Sequence, residues 1–308
     1  MSGIAAIGNT PVVRLERLAG SDAAEVWVKL EGSNPTGSYK DRMALAMIES
    51  AERDGRLQPG QTVVECTGGS TGSSLAFVCA VKGYPLRIVS SDAFAVEKIL
   101  TMRAFGADVE LVASPQGITP DLIPTMIRRA GQIAAETGGF WTDQFNSEDM
   151  IDGYRRLGEE LLEQLAGPPA IDALCSYIGT AGCFLGTTRA LRHQLPGVLR
   201  VAVEPAESAV LSGGSPGTHH IEGGGIGHWP PKLAPGDIDE VIAVPEADAF
   251  AMAREAARAE GVFSGPSTGA NLVAAVAVAR RLGPGHRVVT LQVDSGLKYL
   301  GGPLYRGD

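Results

Sequence analysis

The sequence lacks several features that define large classes of proteins. Its four cysteines form no CxxC pair and have no histidine cluster beside them, which argues against a disulfide framework or a metal site. The longest apolar run, residues 270–279, ends at two arginines and is too short to cross a bilayer. The N-terminus shows no charged segment followed by an apolar one. A cytoplasmic location is therefore expected.

Positive charge is also scarce. The chain has 26 Lys and Arg residues against 35 Asp and Glu, a net charge of -9, which argues against nucleic acid and anionic membranes as partners. Its 308 residues, 44% hydrophobic and 20% charged, suffice to bury the core of one large or two medium domains. We therefore expect small molecules and a second copy of the chain as partners.

Short β-rich runs alternate along the chain with stretches long enough for helices. The predicted strands are Val26–Leu30, Thr62–Glu65, Leu86–Ser90, Val109–Val112, Phe140–Thr142, Ala173–Tyr177, Arg200–Val203 and Val288–Val293. The predicted helices include Asp41–Asp54, Thr71–Lys82, Ala95–Phe105, Asp121–Thr137, Asp149–Leu165 and Ala247–Glu260. Apolar strands separated by helices favour parallel sheets covered on both faces. The sequence therefore predicts an α/β fold with open sheets and a seam between two halves near residues 146–151.

One lysine lies in an unusual position. In the segment 31–42, EGSNPTGSYKDR, the NPTG turn precedes Ser38, a good helix N-cap. Lys40 then falls in the first helical turn, where a cation gains nothing from the helix dipole. The dipole and desolvation would lower its pKa, as suits an amine that forms a Schiff base. An isolated lysine there would be read as a surface residue, but the surrounding turn favours function.

Three further glycine-rich turns connect strands to helices. The turns 65–72, ECTGGSTG, and 179–183, GTAGC, each offer backbone N–H groups and a helix N-terminus to an anion. The turn 265–270, GPSTGA, places Ser267 at another helix entrance. Neither a P-loop nor a GxGxxG pattern is present. Two anion sites and one activated lysine suit a cofactor with a phosphate and an aldehyde.

With these motifs the sequence resembles the cysteine synthase and cystathionine β-synthase family of pyridoxal-phosphate enzymes, of fold type II. The resemblance extends over almost the whole chain. It includes IGNTPVVRL at 7–15, NPTGSYKDR at 34–42, TGGSTG at 67–72, QFN at 144–146, GTAGC at 179–183, VAVEP at 201–205, IEGGGIG at 221–227, GPSTGA at 265–270 and DSGLKYL at 294–300. It implies two sheets with the cofactor in a cleft between two domains. The larger domain is expected at residues 1–40 and 145–308, and the smaller, mobile one at 41–144. A homodimer is expected.

The resemblance also implies roles for individual residues. Lys40 holds the cofactor and moves the α-proton, and Ser267 faces the pyridine nitrogen. The cofactor phosphate is expected at Gly179, Thr180, Ala181, Gly182 and Cys183. The substrate carboxylate is expected at Thr67, Gly68, Thr71 and Gln144. Ser70 stands where the family usually has an asparagine that touches the cofactor's phenolic oxygen.

A neutral Ser267 hydroxyl cannot keep the pyridine nitrogen protonated as an aspartate would. The ring is then a weaker electron sink, which favours loss of a β-substituent to give an aminoacrylate. The predicted function is β-replacement on a serine derivative such as O-acetylserine, with sulfide or another nucleophile. Net β-elimination, as in a cysteine desulfhydrase or a serine/threonine dehydratase, is the alternative. The substitutions in TGGSTG, and His228 in GIGHWPP, leave the substrate open, although a plain exposed loop residue is the favoured interpretation of His228 and, more strongly, of His219 and His220.

Overall fold

A computed structural model describes residues 2–119 and 121–306 of the chain. The strands are β1 Val12–Arg14, β2 Glu25–Leu30, β3 Val63–Cys66, β4 Leu86–Ser91, β5 Asp108–Val112, β6 Phe140–Trp141, β7 Ala173–Tyr177, β8 Leu199–Pro205, β9 Glu240–Val244 and β10 Arg287–Gln292. The helices are α1 Lys40–Arg53, α2 Ser70–Lys82, α3 Val96–Ala104, α4 Leu122–Thr137, α5 Asp149–Asp152, α6 Arg155–Gln164, α7 Gly182–Gln194, α8 Glu246–Glu260, α9 Pro266–Leu282 and α10 Pro303–Arg306. Within these described ranges no helix is both long and apolar enough to cross a membrane.

The strands form two sheets. A six-stranded sheet has the order β1-β2-β10-β7-β8-β9, and a four-stranded sheet has the order β5-β4-β3-β6. Every pairing is parallel except that of β1 with β2, which is antiparallel and lies at one edge. The predicted α/β class with two mainly parallel sheets is confirmed.

Helices cover both faces of each sheet because alternate strand residues point to opposite sides. In β7, Leu174 packs in a core with residues of α5, α6 and α7, whereas its neighbours Ala173 and Cys175 pack with residues of α8 and α9. In β3, Val63 packs with residues of α1, α2 and α3, and Val64 packs with residues of α4. Strands buried on both faces explain the nearly continuous apolar runs in the sequence.

Most predicted elements agree with the structure to within one or two residues, but the single helix predicted at Asp149–Leu165 is wrong. The chain forms α5 and α6 instead, interrupted at Gly153 and Tyr154. A Cβ at Gly153 would lie 2.8 Å from the Met43 Cα, so the interruption lies in close contact with α1 and glycine is needed there. Strands β1 and β9 were not predicted.

A buried group of charges fixes the start of α1. The Arg42 guanidinium donates to Glu31 at 2.7 Å and to Glu160 at 2.8 Å, and Lys29 lies 2.7 Å from Glu160. Burial acts to raise the pKa of the Glu160 carboxyl, but hydrogen bonding and charge from Arg42 outweigh it and lower the pKa to about 2. Breaking such a buried pair costs about 3–5 kcal/mol, because it leaves an uncompensated charge. The register of α1, and with it the position of Lys40, is therefore strongly determined.

Candidate active site

A cavity of about 390 Å³ lies where segments that follow strands of both sheets meet. Ligands bind at the carboxyl ends of the strands in open α/β sheets, so this position is the expected one. The predicted site residues that line it are Lys40, Thr67, Gly68, Ser70, Thr71, Gln144, Gly179 and Thr180. The predicted residues Ala181, Gly182, Cys183 and Ser267 are buried beside it and do not line it. The irregular segment 209–234 supplies much of the remaining wall.

The turn before Lys40 is fixed by its own side chains. The Asp41 carboxylate accepts hydrogen bonds from the Thr36 N–H at 2.8 Å and from the Thr36 hydroxyl at 2.5 Å. The backbone N–H of Lys40 donates to the Ser38 Oγ at 3.2 Å, although the N-cap residue of α1 is Tyr39, one position later than predicted. Gly37 has a φ of +74°, which a residue with a Cβ rarely adopts.

The Lys40 side chain is 7% exposed and forms no ion pair within the described residues. Its Nζ lies 4.9 Å from the centroid of the Tyr39 ring. Burial lowers the pKa of the Lys40 amine to about 8, although Cys183 and Glu65 act in the opposite direction. An amine with this pKa is partly unprotonated near neutral pH, as a nucleophile must be.

The loop 67–71 and Gln144 form one hydrogen-bonded unit. Thr71 Oγ1 donates to the Gln144 Oε1 at 2.8 Å, and Gln144 Nε2 donates to the Cys66 carbonyl at 2.9 Å. Thr67 Oγ1 accepts from the Gly69 N–H at 3.0 Å. The Thr67 hydroxyl hydrogen, the second Gln144 N–H and the first N–H groups of α2 are left to donate to an anion in the cavity.

Glu65, which was not predicted from the sequence, holds this unit in place through three hydrogen bonds. Its carboxylate accepts from the Thr142 hydroxyl at 2.6 Å, from the Cys66 N–H at 2.7 Å and from the Gln144 N–H at 3.0 Å. Burial raises the pKa of the Glu65 carboxyl to about 7, against the effect of these hydrogen bonds. The signal for Glu65 in the sequence is a carboxylate at the end of an otherwise apolar predicted strand, because a buried carboxylate needs hydrogen-bond partners.

The turn 179–183 brings backbone N–H groups to the cavity. Ala181 adopts a left-handed conformation with φ of 69° immediately before α7, whose first N–H groups have no partner within the helix. A Cβ at Gly179 would lie 2.5 Å from the Gly223 carbonyl, so glycine is needed for this close approach.

Cys183 lies in the first turn of α7. Its Sγ is 3.9 Å from the Thr187 Oγ1, and burial raises the pKa of the thiol to about 12. An inert thiol of this kind leaves only the backbone N–H of Cys183 for anion binding.

Ser267 is the second residue of α9. Its side chain is fully buried, and its Oγ has no hydrogen-bond partner among the described residues. Gly223 lines the cavity, and a Cβ added to it would lie 3.7 Å from the Ser267 Oγ, so this hydroxyl lies close to the cavity wall. Buried hydroxyls are almost always paired, so an orphaned one beside a cavity indicates a ligand atom that completes it.

Two histidines lie at the cavity. His228 is exposed, as the favoured interpretation expected, and its ring centroid is 6.3 Å from that of Phe145. His219 is buried, contrary to the expectation of an exposed residue, and its Nε2 is 2.9 Å from the Gly225 carbonyl. Within the described part of the chain, no group of three or more His, Cys, Asp or Glu side chains is arranged to hold a metal ion.

Comparison with known proteins identifies the family. A family model described as "Pyridoxal-phosphate dependent enzyme" matches residues 4–294. A cysteine synthase of Staphylococcus aureus is 42% identical over 303 residues, which cover 98% of this chain and 96% of the relative. The chain belongs to the cysteine synthase family. Cysteine synthase B of Salmonella typhimurium is 38% identical over 302 residues, which cover 96% of this chain and 92% of the relative.

Solved structures agree with this assignment. O-ureido-L-serine synthase superposes with a TM-score of 0.93 at 34% identity, covering 99% of this chain and 95% of that one. A cysteine synthase from Entamoeba histolytica superposes with a TM-score of 0.92 at 32% identity, covering 100% and 92%. This cysteine synthase family member is therefore a pyridoxal-phosphate-dependent enzyme of fold type II.

The residues of the cavity fit this cofactor. Lys40 supplies a buried amine without an ion-pair partner, and the start of α7 supplies free N–H groups for a phosphate. The orphaned Ser267 hydroxyl supplies a neutral partner for a ring nitrogen. The sequence-based assignments of these three contacts stay proposals.

The low pKa of Lys40 predicts a pH-dependent cost to folding. Between about pH 8 and 10.5 the unfolded chain holds this proton more tightly than the folded protein, so folded stability rises with pH in this window. Without cofactor at pH 7, the charged lysine costs about 3 kcal/mol. We expect Lys40→Met to be more stable than wild type at pH 7, with the difference falling as the pH approaches 10.5 in urea unfolding. A difference that does not change with pH would contradict the assigned burial of the charge.

Proposed function

We propose that this enzyme catalyses β-replacement on O-acetylserine, with sulfide as the nucleophile, to form cysteine and acetate. The observation that carries the proposal is the combination of a buried, uncompensated Lys40 with a neutral, unpaired Ser267 hydroxyl beside the cavity, both taken among the described residues. The similarity to cysteine synthases along nearly the whole chain supports it.

When bound, pyridoxal phosphate supplies an aldehyde carbon for the Lys40 amine and a ring that accepts electrons from the substrate's α-carbon. In this proposal Lys40 Nζ removes the α-proton, the acetate leaves from the β-carbon, sulfide adds to the same carbon, and Lys40 Nζ returns a proton to the α-carbon. The neutral Ser267 hydroxyl does not hold a proton on the ring nitrogen, so electron withdrawal is moderate and departure of the β-substituent is favoured.

The substrate carboxylate is proposed to bind at the loop 67–71 and Gln144. Thr67, Gly68 and Thr71 place hydroxyl and backbone donors on the cavity wall, and the Thr71–Gln144 hydrogen bond of 2.8 Å fixes the amide. The phosphate is proposed to bind at Gly179–Cys183. These positions place the two anionic groups at separate helix N-termini, those of α2 and α7.

Residues 41–144 are proposed to form the smaller, mobile domain, and residues 1–40 and 145–308 the larger one. The strands of the four-stranded sheet all come from residues 63–141, which supports this division. A homodimer in the cytoplasm is proposed from the family resemblance, and the four buried free thiols suit a reducing compartment. Sedimentation of the purified enzyme at the mass of one chain would contradict the dimer.

The reaction is tested by supplying O-acetylserine and sulfide and measuring cysteine and pyruvate together. We expect cysteine as the main product of the wild type. Lys40→Ala should lose activity and the visible absorption of the lysine-bound cofactor. Net β-elimination predicts pyruvate instead, and pyruvate as the sole product would contradict β-replacement.

The carboxylate site is tested by Gln144→Ala. Loss of one hydrogen bond to a charged group, about 1.5–3 kcal/mol, should raise KM for O-acetylserine roughly tenfold or more without weakening cofactor binding. The matched control is Asn146→Ala, because Asn146 is exposed and bonds only to Asp143. An unchanged KM in Gln144→Ala would remove Gln144 from the site.

A further inference from the structure

Lys98 places a buried cation in the cavity wall, and no role in chemistry or binding has been assigned to it. It lies on α3 with 3% exposure, and its Nζ is 2.6 Å from Glu222 Oε2 and 3.1 Å from the Tyr299 hydroxyl. Glu222 belongs to the irregular segment 209–234, and Tyr299 ends a short 3-10 turn, Gly296–Tyr299. The Lys98 ammonium group thus joins α3, which follows strand β4 of the four-stranded sheet, to two segments that follow strands β8 and β10 of the six-stranded sheet.

The alkyl chain of Lys98 packs against the loop 67–71. A Cβ at Gly69 would overlap the Lys98 Cδ and would lie 2.9 Å from its Cβ, and Gly69 has a φ of +143°. The preceding glycine, Gly68, is also in close contact with a side chain, since a Cβ there would lie 2.8 Å from the Phe94 ring. The backbone of the loop therefore rests directly on side chains at the start of α3, and its conformation depends on where Lys98 is held.

A chain of hydrogen bonds leads from Lys98 back to the same loop. The Tyr299 hydroxyl accepts from Lys98 and donates to Asp294 Oδ2 at 2.7 Å. Ser70 Oγ donates to the same Asp294 oxygen at 3.4 Å and accepts from the Lys298 Nζ at 3.5 Å. The Ser70 hydroxyl hydrogen is thereby directed away from the cavity, and one of its lone pairs remains for a ligand.

We propose that Lys98 is a positioning residue for the reaction, which holds the carboxylate-binding loop 67–71 and the Ser70 hydroxyl in their binding arrangement through Glu222 and Tyr299. The proposal rests on the proposed role of that loop. Lys98 itself does not bind the substrate carboxylate, because Glu222 neutralises its charge at 2.6 Å. Its effect is on the affinity for the amino-acid donor and not on the cofactor or on sulfide.

The test uses the holoenzyme and two ways of breaking the network. Tyr299→Phe removes only the bridging hydroxyl, and the double variant Lys98→Met/Glu222→Gln keeps the side-chain bulk while it removes both charges together. The double variant avoids leaving one partly buried charge unpaired, which would threaten folding. Donor affinity is measured by the change in cofactor absorption on titration with O-acetylserine, and KM and kcat are measured separately.

We expect both variants to raise the dissociation constant and KM for O-acetylserine roughly tenfold, with cofactor affinity and KM for sulfide unchanged. The matched control is Lys82→Met, which removes a 2.8 Å ion pair with Glu52 at the far end of α2 and should leave donor affinity unchanged. Lys98→Arg should restore part of the donor affinity relative to the double variant.

Wild-type donor affinity in both network variants would overturn the proposal. An equal loss of cofactor and donor affinity would also overturn it, because that pattern indicates general damage to the fold. Titration with the donor requires no turnover. If wild type binds O-acetylserine but forms no cysteine, the proposed reaction fails while the role of Lys98 is still decided by the affinities.

Discussion

The structure depends on keeping the Lys40 amine buried without an opposing carboxylate. Desolvation disfavours the charged amine, and the rest of the fold has to hold the residue in place against that cost. Two rigid connections do so. Asp41 closes the turn onto Thr36, and Arg42 joins α1 to Glu31 and Glu160. Asp41 and Arg42, the two charged residues that follow Lys40, are both bonded to neighbouring groups, so the unpaired amine is confined to the position where a ligand completes it.

The same division between paired and unpaired groups holds for other polar groups at the cavity. Among the described residues, the Ser267 hydroxyl and the first N–H groups of α7 lack partners, whereas the carboxylates of Glu65 and Glu222 and the Gln144 carbonyl are bonded to neighbouring groups. The unpaired groups named here are assigned to the cofactor, and the free donors of α2, Thr67 and Gln144 are assigned to the substrate. The paired ones hold the elements that present them, and a site organised this way needs little rearrangement to bind its ligand.

The sequence predicted the parts of the site that are local along the chain. The NPTGSYK turn, the TGGSTG loop and the GTAGC turn each combine a strand end, turn residues and a helix start within a dozen residues, and all three reach the cavity. The parallel sheets followed from apolar runs of strand length. These turns can be recognised in the sequence because backbone conformation at glycine and the capping of a helix depend mainly on neighbouring residues.

The supporting contacts were beyond prediction because they join distant segments. Lys98 meets Glu222 across 124 positions and Tyr299 across 201 positions, and no periodicity or motif connects them. The interruption between α5 and α6 lies at Gly153, whose close contact with α1 also joins distant segments. His219 looked like a loop residue in a polar segment, and only the folded path of residues 209–234 buries it.

The central claim is that Lys40 is the residue that carries the cofactor. Reduction of the holoenzyme with borohydride makes the bond between lysine and cofactor permanent, and peptide mass spectrometry then locates it. We expect a single modified peptide with the added mass at Lys40, and no such peptide from Lys40→Ala. Modification at Lys98, Lys298 or any other lysine in the wild type would contradict it.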